Sequence, residues 1–351
     1  MQRKTQESPK AKMVFIKTLN NLYVSIDQQN MRLTLTQQSS TCLLIDDSRL
    51  FTVLTSRIYI ASDNTITNDP LSVDSISIIY RSETTFIVHY PNVGKYWCVA
   101  NGELTLIDDS NDATVFTTED CFVQGVNIDK VYNELQLNGY TILSRNVEDS
   151  IVNQMLSKLD LPEDSDHQIR RGDLIRRDRL FGEALLHPLI TFILKFYLHP
   201  NSKCATWSSN TLYPTKDTPD RYDWHVDYPY HDMEAPWQKK PLSAQVLWCL
   251  DEFRIDNGGT HYIRGGHLRQ TFPNINNMIG MSSEILTAPK GSIVIAHGAW
   301  WHSQGINRSK ESRTCLLGTF VQPWIKSKDN MMEQVNNLED EKLKSELLKI
   351  I

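Results

Sequence analysis

The first 120 residues or so alternate apolar and polar positions in short runs broken by turn residues. "NLYVSID", "MRLTLTQ", "SRIYIASD" and "SISIIY" read as strands with one buried face. No helical period longer than two turns stands out there. Near residue 120 the period changes. "NIDKVYNELQLNGYTILSRNV" carries apolar residues at helical spacing and then a strand after Gly139, and "VEDSIVNQMLSKLD" is an amphipathic helix ended by Pro162. "GEALLHPLITFILKFYL" predicts a more buried helix with Pro188 in its first turn, where a missing N–H costs nothing. Strand-like runs follow in "KCATWSSNTLYP", "SAQVLWCLDEF", "SIVIAHGAW" and "TCLLGTFVQPW", and the charged tail "MMEQVNNLEDEKLKSELLKII" reads as a helix. Helices followed by a strand-rich half predict an α+β domain with a sheet core.

The N-terminal strands repeat. "FIKTLNNLYVSID" begins at Phe15, "FTVLTSRIYIASD" at Phe51 and "FIVHYPNVGKYWCVAN" at Phe86, in steps of 36 and 35 residues. Each aromatic start is followed by a tyrosine (Tyr23, Tyr59 or Tyr96) and a second strand. One such unit cannot bury its apolar face alone, whereas three can close around a shared core. The pattern resembles a β-trefoil of the ricin-like or fascin-like kind over residues 13–120, after a flexible N-terminus of residues 1–12. A non-repeating β-sandwich is the alternative. Lectin trefoils carry Q-x-W motifs, and this region has none; its single tryptophan is Trp97. That favours the fascin-like comparison, or a structural module, over sugar binding.

Composition narrows the class. A chain of 351 residues predicts two domains, with 40% hydrophobic and 22% charged residues as in ordinary globular proteins. A net charge of −6 and a pI near 5.9 give no general attraction to nucleic acid. The polar start "MQRKTQESPKAK" lacks a secretory h-region, and no apolar run suggests a membrane helix. Six cysteines without C-x-x-C spacing (Cys42, Cys98, Cys121, Cys204, Cys249, Cys315) predict reduced, mostly buried thiols in a cytoplasmic protein.

Candidate chemistry sits in "YDWHVDYPY". Residues two apart on a strand share a face, so His225 and Asp227 can converge on one point. An imidazole and a carboxylate are two of the three ligands of the facial triad that binds non-haem Fe(II). By itself H-x-D is a common pair. The third ligand should be a histidine on a neighbouring strand, and His302 in "GSIVIAHGAWWHSQGINRSKESRT" follows an apolar strand and a turn. Arg313 begins the next strand run, and a hairpin would bring it back beside His302. Its guanidinium offers a fork for a distant carboxylate.

"WHVDYPY", "LDEFRIDNGGTHYIRGGH" and "KGSIVIAHGAWWHSQGINRSKESR" together resemble the phytanoyl-CoA dioxygenase (PhyH) family of Fe(II)/2-oxoglutarate oxygenases, over roughly residues 126 to 325. The resemblance implies a double-stranded β-helix, jelly-roll or cupin-like, within residues 121–351. It implies His225, Asp227 and His302 as iron ligands, with 2-oxoglutarate and O2 as cosubstrates. Arg313 would bind the distal carboxylate of 2-oxoglutarate, Thr260 would place a hydroxyl near it, and Gln304 stands where a serine commonly assists the arginine. Asn307 matches a turn residue, with structural and binding roles both open. "IRGGH" and the Gly-Ser before the last apolar strand depart from the family pattern at turns. Asp227 argues for hydroxylation over halogenation, since related halogenases have a small residue there.

Trp224, Trp300 and Trp301 could wall the site or be plain core. The arginine-rich stretch at 167–179, including Arg176, reads either as a solvated loop or as a basic lid for an anionic part of a small-molecule substrate. His261, His267 and His297 read as structural. The leading expectation is a dioxygenase that hydroxylates an unactivated C–H bond of a small molecule, releasing succinate and CO2. The rival is an inactive oxygenase-fold adaptor whose trefoil recognises a protein or carbohydrate partner.

Overall fold

Buried Ile16, Val24, Phe86, Val88, Trp97, Leu104 and Phe116 supply the apolar interior of the N-terminal strands. Trp97 packs edge-on against Phe116 at 5.7 Å, the geometry that aromatic quadrupoles favour. The computed structural model describes residues 12–351 except 21, 27–32, 37–42, 47–48, 53–58, 61–65, 68–76, 83–84, 91–93, 101–102, 167, 200 and 216–221. The expected flexible segment therefore lies outside the described residues, apart from Lys12. The chain forms two compact units, Met1–Tyr132 and Asn133–Ile351.

In the first unit, strands Lys12–Thr18, Leu43–Asp46, Arg49–Thr52, Ser77–Tyr80, Thr85–Tyr90 and Phe116–Asp120 pair antiparallel in that order, and the last pairs back with the first. Besides the short pair Phe122–Val123 with Val126–Asn127, three hairpins stand outside this ring among the described residues. They are Tyr23–Ile26 with Leu33–Thr36, Tyr59–Ile60 with Ile66–Thr67, and Lys95–Ala100 with Glu103–Ile107.

The second unit contains nine strands among its described residues. These are β1 (Tyr140–Leu143), β2 (Ile169–Arg171), β3 (Lys203–Leu212), β4 (Ser243–Cys249), β5 (His261–Tyr262), β6 (Glu284–Ile285), β7 (Ile293–His297), β8 (His302–Ser303) and β9 (Arg313–Val321). A large antiparallel sheet runs β1-β7-β4-β9-β3-β2, and a small one runs β6-β5-β8. The chain passes from the large sheet to the small one after β4 and back at β7, then crosses to β8 and returns at β9, which is jelly-roll connectivity. Cys249, Tyr262, Val294, Ala296, Trp300 and Cys315, drawn from both sheets and the turn before β8, bury one another between the layers. Strands β7 and β9 are buried along nearly their whole length, so they read as continuous apolar runs.

Two expectations change. The stretch Arg179–Tyr197 is long and apolar enough to cross a membrane by length and composition, contrary to the reading that no such run exists. It is broken at His187-Pro188 into two helices, and Leu189, Ile190, Ile193 and Leu194 point into the protein interior. The expectation of six reduced thiols also fails: Cys98, Cys204, Cys249 and Cys315 are free, but Cys121 is disulfide-bonded. Spacing could not reveal it, because cysteines far apart in sequence meet only in the fold. Cys42 lies outside the described residues.

Candidate metal centre

A short antiparallel bridge sets the site. His225 N–H donates to the His302 carbonyl at 3.0 Å and His302 N–H donates to the His225 carbonyl at 3.2 Å. Asp227 N–H is held by the Gly298 carbonyl at 2.9 Å. Because His225 and Asp227 are two apart on extended backbone, their side chains emerge on the same side, facing His302. One ligand atom from each of the three lies within 4.8 Å of the others.

Both imidazoles are oriented by their own loops. His225 Nδ1 lies 2.7 Å from the Asp223 carbonyl, and His302 Nδ1 lies 2.8 Å from the Trp300 carbonyl. A carbonyl only accepts, so each Nδ1 carries the proton and each Nε2 keeps its lone pair. His302 Nε2 stands 3.5 Å from Asp227 Oδ2. Burial pushes the His302 pKa down, with Asp227 opposing and His225 adding to the shift, so the ring is neutral near pH 7. Two imidazoles presenting Nε2 and a carboxylate suit Fe(II) in the facial arrangement, leaving the other positions for cosubstrates.

Arg313 opens β9 and is 2% exposed. Its Nη2 donates to the Gly258 carbonyl at 2.7 Å, its Nη1 faces Cys315 Sγ at 3.7 Å, and its guanidinium carbon sits 4.1 Å from the centre of the Phe253 ring. Its Nε has no protein acceptor, and no ion pair satisfies the charge among the described residues. Burial depresses its pKa, though Asp251 and the two nearby cysteines oppose this. A buried guanidinium with an unused donor and no carboxylate is costly unless an anion completes it. The residues present therefore fit a dicarboxylate cosubstrate.

The loop beside it is shaped by close backbone approach. A side chain at Gly305 would put its Cβ 2.3 Å from the Gly259 carbonyl oxygen, so only glycine fits there. Thr260 is buried next to this turn. Asn307 spends its amide on structure: Nδ2 donates to the Leu212 and Glu311 carbonyls, and Oδ1 accepts from Ser309. These bonds give Asn307 a structural role, and it also lines the cavity beside His225.

Other expected residues fall elsewhere. Gln304 makes no hydrogen bond to Arg313. Its side chain closes a ring of three amides, in which Gln168 donates to Asn210 at 2.5 Å, Asn210 to Gln304 at 3.1 Å, and Gln304 back to Gln168 at 3.1 Å. Arg176 pairs with Glu333 instead of facing the site. Trp301 is fully buried and donates to the Thr271 carbonyl within an apolar cluster against which Trp224 packs. Trp300 is also buried, but lies nearly parallel to the His302 ring at 5.4 Å. His297 and His267 are buried, bonded to the Ala299 N–H and the Gln136 carbonyl.

A cavity of about 410 Å³ opens beside His225. Asp166, Gln168, Arg170, Asp223 and Gln304 give it polar walls, with Leu212 and Ile306 as apolar ones. Arg176, Thr260, Trp224, Trp300 and Trp301 do not line it. Of the stretch at 167–179 read as a possible lid, Gln168 and Arg170 do line the cavity, whereas Asn210, which holds Gln168 and Gln304, was not singled out by sequence reasoning. Asn210 is one of several polar residues in β3 and is itself buried, so little in the sequence marked it out.

A jelly roll with two histidines and an aspartate converging at one end defines a class of metal-dependent oxygenase folds. Residues 129–315 match the family described as phytanoyl-CoA dioxygenase (PhyH), and the chain belongs to it. That family uses Fe(II), 2-oxoglutarate and O2. The chain is 23% identical over 175 residues to dioxygenase af480 of Aspergillus fumigatus, covering 50% of this chain and 55% of that protein. It is 28% identical over 144 residues to dioxygenase andF of Emericella variicolor, covering 39% and 48%. The chain thus spans about half the length of the curated relatives it matches. Among solved structures it is similar to the α-ketoglutarate-dependent epimerase SnoN from nogalamycin biosynthesis, with TM-score 0.45, 14% identity, and 56% and 83% coverage. It is also similar to HygX from Streptomyces hygroscopicus with nickel, 2-oxoglutarate and hygromycin B bound, with TM-score 0.45, 10% identity, and 56% and 88% coverage.

Proposed function

We propose that this chain is an Fe(II)/2-oxoglutarate-dependent dioxygenase that hydroxylates a C–H bond of a small polar molecule. The observation that carries this is the pair of imidazoles whose Nδ1 atoms are both committed to carbonyls, leaving two Nε2 lone pairs and Asp227 within 4.8 Å. His225, Asp227 and His302 would hold the metal, and Arg313 would receive the distal carboxylate of 2-oxoglutarate. When bound, the metal and cosubstrate supply the oxidising power for the C–H bond. The chain's own residues orient the ligands, exclude water from the Arg313 side and position the substrate. Asp227 fills the third protein ligand position, which supports hydroxylation over halogenation.

The cavity supports a neutral, hydrogen-bonding substrate. Its single arginine, Arg170, is offset by Asp166 and Asp223, so the lining does not favour an anion. The amides of Gln168 and Gln304 each keep an N–H beyond those used in the ring, a pattern suited to hydroxyl or amide groups.

The ring of six paired strands with outlying hairpins supports a β-trefoil for the first unit. Anaerobic Fe(II) addition with 2-oxoglutarate tests the main reading through the visible charge-transfer band of the chelate. A band in the wild-type protein that is lost in His225→Ala supports it. Folded wild-type protein without a band removes it and leaves the adaptor reading.

A further inference from the structure

The metal centre has aromatic neighbours that no binding role explains. Trp300 lies on His302 with ring centroids 5.4 Å apart and planes 17° from parallel. Against Trp300 pack Tyr262 at 5.0 Å, itself the strand partner of His302, and Tyr140 at 5.3 Å, and these two rings are 4.8 Å from each other. Tyr262 donates its hydroxyl proton to Glu284 Oε2 at 2.8 Å. The Tyr140 hydroxyl, 2.7 Å away, must then donate to Tyr262, because Tyr262 has only one proton to give. Glu284 is fixed by a two-pronged pair with Arg264 and is 40% exposed. An unbroken series of oxidisable rings therefore runs from a metal-ligand imidazole through the buried layer to a carboxylate at the surface.

We infer that Trp300, Tyr262 and Tyr140 form a relay that carries oxidising equivalents away from the metal centre when O2 is consumed without substrate. The inference rests on the function proposed above. The two ring types are chemically suited to different places in the series. Trp300 Nε1 is buried without a protein acceptor, so an oxidised indole there cannot shed its proton and passes the hole onward. Tyr262 has a proton acceptor already in contact, so the hole settles on the phenol. In the step proposed, Tyr262 would give up one electron, by way of Trp300, to the oxidant that bound Fe(II), 2-oxoglutarate and O2 supply. The phenol O–H bond breaks, its proton forms a bond to Glu284, and a neutral phenoxyl remains. An oxidised phenol is acidic enough to protonate even an arginine-paired carboxylate. A small reductant such as ascorbate then returns the electron, and the proton moves back from Glu284. Plain aromatic packing would explain the rings, but not the phenol-to-carboxylate hydrogen bond at the end of the series.

The test mixes O2 with the full-length protein loaded with Fe(II) and 2-oxoglutarate, without substrate, and follows rapid-freeze electron paramagnetic resonance. The charge-transfer band is checked first in each variant. The wild type is expected to give a tyrosyl signal. That signal should fall at least fivefold in Tyr262→Phe and in Glu284→Gln, and form more slowly in Trp300→Phe, while the band persists in all three. Mass spectrometry should then show more oxygen added to site peptides in Tyr262→Phe than in wild type. A wild-type protein with a band and O2 consumption but no tyrosyl signal overturns the relay and leaves the oxygenase reading standing. A signal unchanged in Tyr262→Phe also overturns it. Absence of the band overturns both.

Discussion

His302 Nε2 stands 3.5 Å from Asp227 Oδ2, across a backbone bridge that joins His302 to His225. Two loops distant in sequence thus bring three candidate ligands together, with the His225 and His302 backbones bonded to each other and Asp227 bonded to Gly298. Metal binding should stabilise the native state by mass action, about 2.7 kcal/mol at a hundredfold excess over Kd. Adding Fe(II) anaerobically is therefore expected to raise the wild-type Tm by several degrees, and a chelator to reverse it. Asp227→Ala should show no such rise in scanning calorimetry. An equal rise in that variant would place the metal elsewhere.

Arg313 is expected to set the affinity for 2-oxoglutarate. Replacing its fork by the single ammonium of Arg313→Lys removes a charge-assisted hydrogen bond worth about 1.5–3 kcal/mol, or roughly ten- to a hundredfold in Kd. Titration of the charge-transfer band measures this. Arg313→Ala also leaves the Gly258 carbonyl without its partner, so its melting temperature should fall as well.

Gln304→Ala should behave differently. Its amide bonds to Asn210 and Gln168, not to Arg313, so the Kd for 2-oxoglutarate should stay within about twofold of wild type. The surface location makes a stability change beyond about 0.5 kcal/mol unexpected. A large loss of cosubstrate affinity would restore the role that its sequence position suggests.

Buried histidines should make the protein acid-sensitive. Burial pushes the His297 pKa down to about 3, with His267 adding to the shift, and His267 and His187 are also lowered by burial. Below the ordinary histidine value near 6.5 the unfolded chain takes up protons that the folded one refuses. Stability is then fully present above about pH 6.5 and declines toward pH 3, by up to about 1.4 kcal/mol per pH unit for each such group. Urea midpoints at pH 7 and 5 should show the decline, and His297→Gln should reduce it. Identical midpoints at the two pH values would show that these rings take up protons as readily in the native state as in the unfolded chain.

Gly305→Ala is expected to disturb the cosubstrate side without touching a ligand. Its new methyl would meet the Gly259 carbonyl oxygen, forcing apart the loop whose Gly258 carbonyl holds Arg313. A weaker 2-oxoglutarate band with an unchanged Fe(II)-induced Tm rise would confirm this division.

The triad was legible because its chemistry is local: H-x-D on extended backbone needs only the period of a strand, and Arg313 opens an apolar run. The change from alternating to helical spacing near residue 120 predicts a boundary there, and the compact units divide between Tyr132 and Asn133. What the linear order could not hold were contacts decided by folding. Gln304 was expected beside Arg313, yet register turns it to Asn210 on β3 and to Gln168. Trp300 and Trp301 are neighbours in sequence but point to opposite layers, one onto His302 and one into the apolar cluster with Leu242 and Val321. Arg176 and Arg170 look alike in a basic run, and only the packing of Glu333 separates them. Period and residue type determine which face a side chain takes. Which partner waits on that face depends on strand pairing across tens to more than a hundred residues, and that is settled only by burial in the tertiary structure.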